Sequence, residues 1–68
     1  MEKLDARGLS CPEPVIMIRQ AMKSNANFYQ MLVDNPASRE NVTRYAEHQG
    51  YKVQVTEHNG EYLLEMRK

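Results

Sequence analysis

With one cysteine in 68 residues, this chain cannot close a disulfide, so its fold must rest on one small apolar core. A domain of this size buries only about 60% of the surface its unfolded chain exposes. Cys11, His48 and His58 are its only soft metal ligands, and their spacing matches no zinc pattern. No metal site and no cofactor are expected. The core has to come from Val, Ile, Leu, Met and Tyr packed between regular elements.

Nine basic residues balance nine acidic ones. Domains that hold nucleic acid by charge carry a basic excess, so direct nucleic-acid binding is not expected. No apolar run approaches the roughly 20 residues that span a bilayer, so no membrane partner is expected. Met1-Glu2-Lys3-Leu4 leads straight into structure without a signal-peptide pattern. A lone thiol suits a reducing compartment, and the expected location is cytoplasmic.

Lys3-Leu4-Asp5 reads as a short first strand, and Gly8 permits a tight turn after it. Helical signals begin at Cys11. Pro12 falls at the first helical position, and Pro14 is tolerated because first-turn amides have no intrahelical partner to lose. Val15, Ile18 and Met22 recur at helical spacing, and Ser24-Asn25-Ala26-Asn27 ends the helix. Phe28 to Val33 is a nearly continuous apolar strand, as expected at a sheet centre. Asp34-Asn35-Pro36 breaks it, and a second helix runs from about Ala37 to Gln49, with Gly50 as its cap. Tyr51, Val53 and Val55 alternate with polar residues, which predicts a half-buried strand. Asn59-Gly60 predicts a two-residue hairpin turn into a last strand carrying Tyr62, Leu64 and Met66.

The order is β-α-β-α-β-β. It predicts an α+β fold, a two-layer α/β sandwich with a mixed four-stranded sheet and two helices on one face. The crossovers predict parallel neighbours among the first three strands, and the hairpin adds an antiparallel one. The whole chain, residues 1–68, is expected to be a single domain.

The chemistry concentrates in Gly8-Leu9-Ser10-Cys11-Pro12-Glu13-Pro14. Cys11 is placed at the cap of the first helix, where free amides and the positive end of the dipole favour a thiolate or a terminal persulfide sulfur. Pro12 fixes the entry of the chain into the helix, and Glu13 suits the dipole of the first turn. The competing reading makes Cys11 a small core residue, since free cysteine is among the most buried types. Arg19 lies eight residues along the helix, about 12 Å by rise, too far to pair with the sulfur. It either docks an acidic partner or sits on a solvated face. Asp34 and Asn35 end the strand beside the first, on the edge that carries the Cys11 loop. They either border the thiol or serve as a turn and a helix cap. His48 and His58 read as solvated. No Ser-His-Asp or Cys-His-Asp set is present, and without a general base a hydrolytic cycle is hard to build.

The run Leu4-Asp5-Ala6-Arg7-Gly8-Leu9-Ser10-Cys11-Pro12-Glu13-Pro14-Val15 resembles the signature of the TusA/SirA/YedF family of small sulfur carriers. The likeness extends through Arg19 and Asp34-Asn35-Pro36-Ala37. Asn41-Val42-Thr43-Arg44-Tyr45-Ala46-Glu47 and Gln49-Gly50-Tyr51 look more like the YedF branch. One departure is Asn35, where TusA carries Asp before the proline. The resemblance implies that Cys11 carries sulfur as a persulfide. It implies a donor such as a cysteine desulfurase, and an acceptor in a sulfur relay such as tRNA thiolation. The YedF-like half implies a DsrE-like acceptor domain, selenium as alternative cargo, and a place as the N-terminal module of a longer protein. The alternative function is a non-catalytic interaction or regulatory module with a structural cysteine.

Overall fold

The computed structural model describes residues 2–68. The reading of Met1 as the lead into the first strand lies outside the described residues. The elements are β1 (Glu2–Asp5), α1 (Glu13–Ala21), β2 (Phe28–Val33), α2 (Pro36–His48), β3 (Lys52–His58) and β4 (Glu61–Arg67). One turn of 3₁₀ helix, Met22–Ser24, closes α1, and Asn25 ends it in the left-handed region at φ 61°.

The four strands form one sheet in the order β1-β2-β4-β3. β1 runs parallel to β2, as the first crossover requires. β4 is antiparallel to both β2 and β3. β3 therefore points the same way as β2 without touching it. The expectation that the first three strands are all neighbours is corrected at β2 and β3: the antiparallel last strand folds back into the gap between them. The physical reason is apolar content. β4 carries Tyr62, Leu64 and Met66, all buried, and registers them against Val33, Met31 and Tyr29 of β2. β3 offers only Val53 and Val55, and Val55 stays 40% exposed. The more apolar strand takes the centre and the polar one the edge, so the half-buried strand predicted for residues 51–56 is mostly exposed. Tyr51 is buried, but it stands just before β3.

The turn between β3 and β4 has positive φ at both Asn59 (51°) and Gly60 (80°). That is the backbone a two-residue hairpin needs, and it matches the sequence signal. Both helices lie on one sheet face. Ile18 of α1 and Val42 and Ala46 of α2 complete a core with Tyr29, Met31, Val33, Leu64 and Met66.

Tyr29 pegs the end of α1 to the sheet. Its ring is fully buried. Its hydroxyl donates to Ala21 O at 3.0 Å, accepts from Ala26 N at 3.0 Å and lies 2.9 Å from Ser24 Oγ. Tyr51 packs beside it with ring centroids 5.7 Å apart and donates to Ala26 O at 2.7 Å. Burial pushes the Tyr51 phenol up, and the neighbouring Tyr29 adds to the shift.

The second helix is capped from its own side chain. Asn35 has extended backbone, and its Oδ1 accepts from Ser38 N at 2.8 Å. Pro36 follows at the first helical position, where its missing N–H costs nothing. Asn35→Ala is expected to cost about 1 kcal/mol, read as a lowered urea midpoint at unchanged slope.

Candidate functional site

The site grows from the turn after β1. Ala6 N donates to Leu32 O at 2.8 Å, which carries the β1–β2 pairing one residue past the strand. The chain then turns, with Leu9 N bonded to Ala6 O at 3.3 Å. Gly8 has φ +79° inside this turn, a conformation that strains any L side chain. Its N–H donates to Asp34 Oδ2 at 2.8 Å. The end of β2 thus fixes the loop that leads to Cys11.

Arg7 braces the same loop. Its guanidinium binds Asp5 at 2.8 Å and reaches Glu61 of β4 at 3.4 Å. The hydrogen bonds from Arg7 hold the Asp5 carboxyl at about 2, well below the usual carboxylate range. All three side chains are solvent-exposed by about half, so the brace orients the loop more than it stabilises the fold.

Cys11 stands one residue earlier than expected. The cap of α1 is Pro12, and the helix proper begins at Glu13. The Cys11–Pro12 peptide is cis. The first turn has few amides to offer. Pro12 and Pro14 have none, Glu13 N is used by Ser10 O at 2.9 Å, and Ile16 N by Pro12 O at 3.1 Å. The expected ring of amides around the sulfur therefore shrinks to one candidate, Val15 N.

The sulfur is exposed, which removes the reading of Cys11 as a packed core residue. Its hydrogen-bond donor comes from the other helix. Asn41 Nδ2 of α2 donates to Cys11 Sγ at 3.4 Å. Beyond this contact a groove of about 570 Å³ opens between the helices. Cys11, Pro12 and Val15 line one wall, and Asn41, Tyr45 and His48 line the other.

The remaining sequence-predicted residues divide. Gly8 and Asp34 are joined directly, at the edge where the topology placed them. Asn35 is a helix cap with its side chain spent on Ser38 N and, at 3.4 Å, on Asp34 Oδ1. Neither Asp34 nor Asn35 is hydrogen-bonded to the sulfur. Glu13 is exposed in the first turn, and Pro14 is buried beneath it. Arg19 is exposed in the last turn of α1 and forms no ion pair among the described residues. Sequence reasoning misses Asn41, Tyr45 and His48 as site residues. Their one sequence signal is the spacing i, i+4, i+7, which puts them on a common helix face. Among the described residues no cluster of His, Cys, Asp or Glu is arranged to hold a metal, and no helix is long and apolar enough to cross a membrane.

A family model described as sulfurtransferase TusA matches residues 2–68. The chain belongs to the TusA family. The sulfur carrier protein TusA of Pseudomonas putida is 32% identical to it, over 96% of this chain and 85% of that protein. The TusA protein of Pseudomonas aeruginosa is also 32% identical, over 96% and 86%. A solved SirA-like protein from Desulfitobacterium hafniense superposes with a TM-score of 0.89 at 32% identity, covering 98% of this chain and 96% of that one. At that TM-score the β-α-β-α-β-β sandwich described above is shared with the SirA-like protein.

Proposed function

We propose that this TusA-family domain is a sulfur carrier that holds its cargo as a persulfide on Cys11. The observation that carries this reading is the exposed sulfur at the start of α1, with an amide donor aimed at it and a groove beside it. In the loading step, the Cys11 thiolate attacks the outer sulfur of a donor persulfide. The donor S–S bond breaks, a new S–S bond forms on Cys11, and the donor cysteine leaves as a thiolate. In the unloading step, an acceptor thiolate attacks the outer sulfur of Cys11–S–SH and frees the Cys11 thiolate. The transferred sulfur keeps its oxidation level in both steps, so no cofactor or redox partner is required.

A carrier of this kind needs no general base of its own. Its rate depends on thiolate fraction and access. The donor is a persulfide-forming protein such as a cysteine desulfurase, and the acceptor is a relay protein with an accessible cysteine, a DsrE-like domain among them. The site residues of this reading are Cys11 as the carrier, with Gly8, Pro12, Glu13 and Pro14 shaping the loop and helix start. Arg19, Asp34 and Asn35 are proposed as partner contacts. A reducing, cytoplasmic setting suits the exposed thiol. The domain serves this role alone or as the N-terminal module of a longer chain, and selenium travels by the same step.

The test is mass spectrometry of the folded protein after incubation with a cysteine desulfurase and cysteine. The expected result is a gain of one sulfur atom, mapped to Cys11 and removed by a reductant. An unmodified Cys11 under conditions that load a control carrier refutes the proposal.

A further inference from the structure

We infer that Asn41 is the positioning residue of the Cys11 sulfur: its side-chain amide selects the anionic form of the thiol and sets the direction from which a partner sulfur approaches. This deepens the sulfur-carrier reading and rests on it. The first turn of α1 is poor in donors, since two prolines lack amides and the N–H groups of Glu13 and Ile16 are spent on Ser10 O and the Pro12 cap. A sulfur at such a helix start gains little from the turn itself. The donor that reaches it is Asn41 Nδ2, at 3.4 Å from α2. An amide nitrogen is a donor only, so a sulfur facing it is stabilised as an anion or as an acceptor with its own proton turned away.

The other charged and titratable groups near the sulfur are Glu13 at the start of α1 and Arg44, Tyr45 and His48 of α2 across the groove. Arg44 is engaged by Glu40 at 2.9 Å. Neither Arg44 nor His48 is hydrogen-bonded to Cys11. Asn41 therefore differs from its neighbours in touching the reactive atom. Its side chain occupies one side of the sulfur, so a partner sulfur comes in along the groove that Val15, Tyr45 and His48 also line.

A hydrogen bond to a partly solvated anion favours it by about tenfold in population. The same bond lowers the intrinsic nucleophilicity of the thiolate, which takes back about half of that gain on a logarithmic scale. The two effects dominate at opposite ends of the pH range, and this gives a signature that a structural role lacks. The experiment is alkylation of Cys11 by iodoacetamide across the pH range, in the wild type and in Asn41→Ala. The variant is expected to react about threefold slower near pH 6 and about threefold faster near pH 10, so the two curves cross.

Curves that superimpose, or that differ by a constant factor at every pH, overturn the inference. Asn41→Asp provides the same comparison without a cavity, because it keeps the shape and removes the donor. It is expected to show the larger slowing at neutral pH, since it sets a carboxylate against the sulfur. Alkylation uses no sulfur donor. A crossing of the curves therefore stands even if sulfur loading fails, and failed loading with crossed curves sinks the carrier reading alone.

Discussion

Cys11→Ser is expected to abolish sulfur loading completely while leaving the fold intact. A serine hydroxyl stays protonated at neutral pH, and no base is hydrogen-bonded at this position to activate it. The side-chain hydrogen bond at stake is the one from Asn41, and a hydroxyl oxygen accepts it as well. Because residue 11 is exposed, stability should change by no more than about 0.5 kcal/mol. Two measurements check this together. The variant should gain no sulfur beside a desulfurase that loads the wild type, and its urea midpoint should match the wild type. Equal sulfur gain by the serine variant, which has no cysteine left, ends the assignment. If the serine variant melts early, Cys11→Ala repeats the comparison.

The largest expected loss of stability follows Tyr29→Ala. The side chain is fully buried in β2 and packs on Tyr51. Its hydroxyl serves Ala21 O, Ala26 N and Ser24 Oγ at once. Removing a buried aromatic ring costs about 3–5 kcal/mol. A domain of this length has only about 3–10 kcal/mol in total, so the variant should lose a large share of its stability and melt at a much lower urea midpoint. Tyr29→Phe separates the two contributions. It keeps the ring and strands Ala26 N, while Ala21 O keeps its bond from Ser24 Oγ, at a cost of about 1–3 kcal/mol. Urea melts of both variants provide the check, and a Phe variant as damaged as the Ala variant places the stabilisation in the hydroxyl alone.

Local features were legible where they depend on local chemistry. Asn59-Gly60 fixed the hairpin because both positions need positive φ, and Cys11-Pro12-Glu13-Pro14 marked the helix start to within one or two residues. Strand order was not legible. Alternation in β3 and β4 reports which side chains share a face, but it does not say which strand lies between which neighbours. That choice depends on how much apolar surface each strand has to bury, and Val55 and Leu64 receive opposite fates from similar patterns. The site was legible at Cys11 and in the Gly8–Asp34 edge, which the parallel β1–β2 pairing brings together. It was not legible at Asn41. Its contact with Cys11 spans 30 residues and depends on the packing of α2 against α1, which no single-helix pattern encodes.

The register of β1 and β4 has a practical consequence. Glu2 pairs with Tyr29 and Arg67 with Phe28, so the first and last described segments leave the sheet together, at the start of β2. Cys11 follows the far end of β1, on the loop that Gly8 ties to Asp34 at the finish of β2. A tether, resin linker or fused partner attached at either terminus therefore hangs from the opposite pole, and an anchored copy turns its thiol outward to whatever approaches.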